Sequence, residues 1–144
     1  MKKKPEVIIY TDGACDPNPG RGGWGAVVIT PRERYELWGS EADTTNNRME
    51  LTAAIESLRS LDRPCDVTIY TDSQYLQKGI EEWLPRWIKR NWRTSNGKVA
   101  NQDLWQALLE AEKPHQIRWG WIKGHAGDHE NQRADYLARK ARLS

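Results

Sequence analysis

Two apolar runs, Val7-Ile8-Ile9-Tyr10-Thr11 and Val67-Thr68-Ile69-Tyr70-Thr71, each stop at a carboxylate, Asp12 and Asp72. The first is continuous and rich in β-branched residues, the pattern of a strand buried on both faces. Between them Leu51, Ala54, Ile55, Leu58 and Leu61 recur with helical period, which predicts a helix over roughly 46–60. A strand reached through a helix of that length follows a crossover, and a crossover sets it parallel to a neighbour in the same sheet. The pair therefore places the chain among α/β folds.

The remaining segments extend that sheet. "GWGAVVIT" and "RYELWGS", joined through "PRE", complete a three-strand antiparallel meander with the first run. The loop "GACDPNPGRGG" is rich in turn formers and is expected to be irregular. A short helix opens near Ser73. "NQDLWQALLEAE" reads as another, with Asn101 as its cap and Leu104, Ala107 and Leu108 on one side. "QIRWGWI" alternates like a strand, with Ile117, Trp119 and Trp121 on one face. Glycines 124 and 127 then bound a loop carrying His125, and Asp128 caps a last helix whose inner stripe is Ala134, Leu137, Ala138 and Ala141. The order β-β-β-α-β-α-β-α implies an α/β domain with a mixed sheet and helices on both faces. No repeat or linker divides residues 1–144, which suffice for a single domain that needs no disulfide or metal staple.

Cys15 and Cys65 form neither a metal-ligand spacing nor a disulfide framework, which leans toward a reducing compartment and a cytoplasmic location. The apolar run after the basic head is too short for a signal peptide or a membrane span. Nothing in the chain demands more than a monomer. Net charge is only +2, so its distribution matters more than its sum. "WLPRWIKRNWRTSNGKV", from Trp83 to Val99, holds five basic residues, no acidic one and three tryptophans. Two readings fit it. It is a solvated face whose Trp83 and Trp87, one helical turn apart, pack inward, or it is a surface that takes phosphates and stacks on sugars and bases.

In an open sheet with parallel strands, ligands gather beyond the strands' carboxyl ends. Asp12 and Asp72 stand at such ends, and with adjacent strands their carboxylates come close together. Unmatched they repel, and one takes up a proton; a divalent cation keeps both ionised. Glu50, beside the apolar stripe of its helix, is a third candidate ligand or an ordinary exposed helical acid. Asn46 and Asn47 share its side of the helix and offer amide donors to a phosphate. Asp135, early in the last helix, is a fourth candidate ligand or a partner of the helix dipole. His125, between glycines, is a plain loop residue or a mobile proton carrier. With several carboxylates and no Cys/His cluster, magnesium or manganese fits better than zinc.

"YTDGACDPNPGRGGWGAVV", "TNNRMELTAAIESL", "IYTDSQYL" and "GHAGDHENQRADYLAR" together resemble ribonuclease H of type 1 in its compact bacterial form, over essentially the whole chain. The resemblance implies the ribonuclease H-like fold, a mixed five-stranded sheet of three antiparallel strands extended by two parallel ones. It implies that Asp12, Glu50, Asp72 and Asp135 hold two magnesium ions, with manganese able to substitute, and that His125 assists turnover. It implies further that Asn18, Asn46, Asn47 and Gln74 touch the RNA strand, where 2′-hydroxyls distinguish RNA from DNA. Thr45 is then a DNA-phosphate contact. The segment with Trp83, Arg86, Trp87, Lys89, Arg90 and Trp92 is then a basic handle on the DNA strand, departing from the family in Pro85 and in a shortening around Gly97 and Lys98. The implied activity is sequence-independent endonucleolytic hydrolysis of the RNA strand of RNA–DNA hybrids, leaving 5′-phosphate and 3′-hydroxyl ends. A separate amino-terminal hybrid-binding domain is not expected, because the first strand begins by about residue 6. Resolvases, integrases and exonucleases share the fold; "TNNRME" and the Trp-rich basic segment favour the hybrid nuclease.

Overall fold

The computed structural model describes residues 3–95, 97–123 and 129–144. Strands β1 (Glu6–Cys15), β2 (Gly20–Ile29) and β3 (Arg34–Thr44) form the antiparallel meander, and helix α1 (Asn46–Arg59) crosses over to β4 (Asp66–Thr71). Helices α2 (Gln74–Lys78) and α3 (Leu84–Lys89) follow, joined by a single π-helical stretch, Gly79–Trp83. A two-residue ladder, β5 (Arg93–Thr94) with β6 (Gly97–Lys98), leads into α4 (Gln102–Glu112), β7 (Gln116–Trp121) and α5 (His129–Leu143). The main sheet has the order β3-β2-β1-β4-β7. β1 pairs antiparallel with β2 and parallel with β4, and β7 adds parallel to β4. The mixed five-stranded sheet expected from the sequence is thus present.

Alternation along β1 sorts its side chains between two layers. Val7 and Ile9 point to the α1 side, where they join Val67, Ile69, Leu51, Ile55, Leu58, Trp105 and Leu108 in the principal core. Residues 8, 10 and 12 point to the other side, which α5 covers with Ala134, Leu137, Ala138 and Ala141, all buried. This is the stripe read from the sequence.

Two glycines of β2 decide how closely α5 lies. A Cβ on Gly25 would come within 2.6 Å of the Ala134 carbonyl oxygen and of Leu137 Cβ, and one on Gly23 within 2.3 Å of the Ala138 carbonyl oxygen. The helix backbone therefore rests directly on the strand. Since Gly25 is the register partner of Asp12, this approach brings the turn carrying Asp135 over Asp12.

Two local expectations are corrected. The stretch after Asp12 is not an irregular loop as a whole. The β1–β2 ladder continues through Gly13↔Trp24, Ala14↔Gly23 and Cys15↔Gly22, leaving only Asp16–Pro19 outside the strands. Turn-forming residues lose here to backbone pairing that small side chains permit. Asn101 occupies the N-cap position of α4, but in the left-handed region with φ 59° and without a capping side-chain bond. Its side-chain Oδ1 accepts from Arg48 Nη1 at 3.3 Å, and its Nδ2 donates to the Tyr75 hydroxyl at 3.0 Å. Asp128, expected to cap α5, lies outside the described residues. Among the described residues no helix is long and apolar enough to cross a membrane.

Candidate active site

Parallel pairing of β1 with β4 runs in register to Tyr10↔Tyr70 and stops there, although β1 itself continues to Cys15, so Asp12 lies within β1 and Asp72 just beyond β4. The two tyrosine rings stack with centroids 5.1 Å apart, one period below the acids that follow them. Asp12 is 5 % exposed, and its Oδ1 accepts the Gly13 N–H at 2.9 Å. Glu50 enters from the second turn of α1, which Gly13 admits: a Cβ there would lie 2.7 Å from the Glu50 backbone nitrogen. Glu50 is no exposed helical acid, being 5 % exposed. Its stripe reading misses this because the surface that buries it is the end of β1, not the apolar core.

Asp12, Glu50 and Asp72 each offer a carboxylate oxygen, and these atoms lie within 4.8 Å of one another. Burial, and next the proximity of Asp72, push the Asp12 carboxyl up to about 8, although the Gly13 N–H pulls the other way. Burial, then the charges of Asp12 and Asp72, hold Glu50 well above the usual carboxylate range. Glu50 Oε1 is buried with no hydrogen-bond partner among the described residues. Left to itself, this cluster is an expensive arrangement of negative charge. A divalent cation would remove the penalty and could take the orphaned oxygen as a ligand, so the residues fit a hard metal ion.

Asp135 adjoins Asp12 closely enough for their side chains to interact. It is not among the three whose oxygens converge. Its Oδ2 instead accepts from Arg139 Nε at 3.0 Å, one helical turn along α5. Reading the motif for acids alone overlooks Arg139; the i,i+4 spacing is the signal that finds it. His125 lies outside the described residues.

The polar candidates flank the carboxylates. Thr45 caps α1, its Oγ1 accepting from the Arg48 N–H at 3.1 Å. Asn46 and Asn47 open the helix, and Asn18 Oδ1 accepts the Asn46 N–H at 3.1 Å, tying the Asp16–Pro19 turn to α1. Gln74, exposed, is the first residue of α2, whose cap is Ser73.

Farther along, Arg86, Lys89 and Arg90 are exposed, whereas Trp83, Trp87 and Trp92 are half-buried. Trp87 lies between Trp83 and Trp92, with ring centroids 6.0 and 6.1 Å away, and meets the buried Trp105 at 5.8 Å. The inward-packing reading of these tryptophans describes that arrangement, while the cations stand free of it on the surface. Sequence reasoning also missed the network behind this segment. Tyr75 OH accepts from both Asn101 Nδ2 and Trp105 Nε1, and Arg48 grips Asp103 with two hydrogen bonds at 3.0 and 2.8 Å.

Comparison with known proteins agrees with this geometry. The family model for RNase H matches residues 4–142. A ribonuclease H of Cupriavidus pinatubonensis is 60% identical over 136 residues, covering 94% of this chain and 94% of the relative. Among solved structures, LC9-RNase H1, a type 1 RNase H with the type 2 active-site motif, superposes with a TM-score of 0.89. It is 33% identical, and the match covers 99% of this chain and 74% of that one. LC11-RNase H1, solved in complex with an RNA/DNA hybrid, shares the fold with a TM-score of 0.70 at 22% identity, covering 96% and 99% of the two chains.

Proposed function

This chain belongs to the RNase H family, and from that membership and its carboxylate geometry we propose that it is a ribonuclease HI that cuts the RNA strand of RNA–DNA hybrids. The observation that carries the reading is the convergence of Asp12, Glu50 and Asp72 where the parallel β1–β4 ladder stops and the second turn of α1 meets it, with Glu50 Oε1 lacking a hydrogen-bond partner among the described residues.

Divalent ions held by Asp12, Glu50, Asp72 and Asp135, two magnesium ions or manganese in their place, would supply Lewis-acid activation of water and stabilisation of the leaving 3′-oxygen in an in-line displacement. The chain's own residues do the rest. Asp12, Glu50 and Asp72, with Asp135 beside them, fix the cations at a rigid sheet edge. Asn46, Asn47, Gln74 and Asn18 present amides to the sugars and phosphates of the RNA strand, where 2′-hydroxyls select ribonucleotides. Thr45 and the exposed Arg86, Lys89 and Arg90 hold the phosphates of the DNA strand, with Trp83, Trp87 and Trp92 bracing that handle from beneath. His125 carries protons at the cut. Since these groups meet phosphate and sugar, cleavage is largely independent of base sequence. The protein is proposed to act as a monomer in the cytoplasm.

The test is the chemistry of the ends. With magnesium, end-labelled hybrid should yield RNA fragments bearing 5′-phosphates and 3′-hydroxyls, and with chelator none. Cyclic phosphates, or cleavage that persists in chelator, would refute the metal-dependent mechanism.

A further inference from the structure

Asp135 is arranged unlike the other acids. Asp12, Glu50 and Asp72 converge, and two of them are almost fully buried, but Asp135 has a quarter of its side chain in solvent and is held by a cation. Arg139 Nε donates to Asp135 Oδ2 at 3.0 Å, and the Arg139 side chain is 60% exposed. With the acid four residues before the base, the pair has the favourable helical orientation. Isolated pairs of this kind on a surface contribute little to stability. This one differs from an isolated pair in its place. Asp135 is the carboxylate nearest in role to the site yet outside the converging set, and it interacts with Asp12 on its other side.

We propose that Arg139 is a positioning residue that holds Asp135 back from the cation site, so that a metal recruiting this fourth carboxylate competes with the guanidinium for it. The inference rests on the metal-dependent reading given above. Its physical content is competition. A guanidinium hydrogen-bonded to the carboxylate repels the incoming cation and competes with it for the same acceptor group. The pair thereby sets metal affinity without touching substrate. Because Arg139 is mostly exposed, its truncation leaves no cavity, and Asp135, with a quarter of its side chain in solvent, keeps access to water.

The experiment is a titration of the substrate-free protein with Mn²⁺ alone, following the free ion by electron paramagnetic resonance, for wild type, Arg139→Ala and Arg139→Lys. Removing the charge should tighten Mn²⁺ binding about three- to tenfold. The lysine variant, which keeps a cation at the same helical position, should bind close to wild type. That rescue separates competition by charge from a merely structural effect of losing the side chain. Equal or weaker binding by Arg139→Ala, with wild type binding normally, would overturn the role of Arg139 and leave the metal site standing. If wild type bound no Mn²⁺ at millimolar concentration, the metal-dependent reading would fall and the inference with it.

Discussion

Asp72→Asn should abolish cleavage of hybrid while leaving its binding intact. The substitution keeps the shape of the side chain but removes the charge that, at the end of β4, completes the oxygen set with Asp12 and Glu50. A neutral amide is a poor ligand for a hard divalent ion. Cleavage should fall by about a thousandfold or more, since the ion supplies both activation of water and stabilisation of the leaving oxygen. On the proposed reading binding rests on Thr45, Gln74 and the cations Arg86, Lys89 and Arg90, none of which is substituted, so hybrid affinity measured by fluorescence anisotropy should stay within about threefold of wild type. Robust cleavage by the variant would remove Asp72 from the metal site. Lost affinity would show instead that Asp72 also helps to hold the hybrid.

Asp12→Asn should stabilise the metal-free protein while destroying its activity. Burial and Asp72 push the Asp12 carboxyl up to about 8, from an ordinary value of 3.8. Between those values the folded state keeps a proton that the unfolded state has released, so stability is highest at the acid end of the window and falls as pH rises through it. Glu50, shifted in the same direction, adds to the fall. The carboxylates whose ion pairs hold them low, Glu36 with Arg133 and Arg34, Asp103 with Arg48, and Glu130 with Arg34, have the opposite sign, but their contribution is complete before the middle of this window. His115, lowered by burial, also gains stability with rising pH, and it is common to both proteins.

Thermal unfolding in chelator should therefore show Asp12→Asn more stable than wild type at pH 8, by about 2 kcal/mol or more, with the difference shrinking toward pH 4. Magnesium at pH 8 should raise the melting temperature of wild type and not that of the variant. A variant less stable than wild type at every pH would mean that Asp12 is held by compensating contacts rather than strained for a metal.

How far the sequence reached depends on whether a feature was carried by periodicity or by close approach. The parallel placement of β1 and β4 followed from two apolar runs and a crossover helix, and with it the closeness of Asp12 and Asp72, although β1 does not stop at Asp12 but runs on to Cys15. The inner stripe of α5 followed from Ala134, Leu137, Ala138 and Ala141. Glu50 was harder. Its burial depends on Gly13 letting α1 lie against the end of β1, and a glycine in a sequence of turn formers looks like a turn rather than a landing site. The same blindness hid the extension of the β1–β2 ladder through Cys15.

Asn101 looked like a helix cap by residue type, yet its side chain is drawn to Arg48 and Tyr75, partners distant in sequence that no local pattern announces. The tryptophans at 83, 87 and 92 had two readings because amphipathic spacing is the same whether a ring faces protein or ligand. Their mutual packing with Trp105 is a tertiary fact. Groups proposed to face the substrate, such as Asn18 and Gln74, leave no periodic signal at all, and that role followed only from the resemblance of whole motifs.

The central claim is that the converged carboxylates serve hydrolysis of RNA paired with DNA. The most direct measurement presents equal concentrations of end-labelled RNA–DNA hybrid, duplex RNA and duplex DNA of one sequence to the protein in magnesium, and maps every cut on each strand. Cuts confined to the RNA strand of the hybrid are the predicted result; cleavage of duplex DNA, or equal cleavage of duplex RNA, would contradict it.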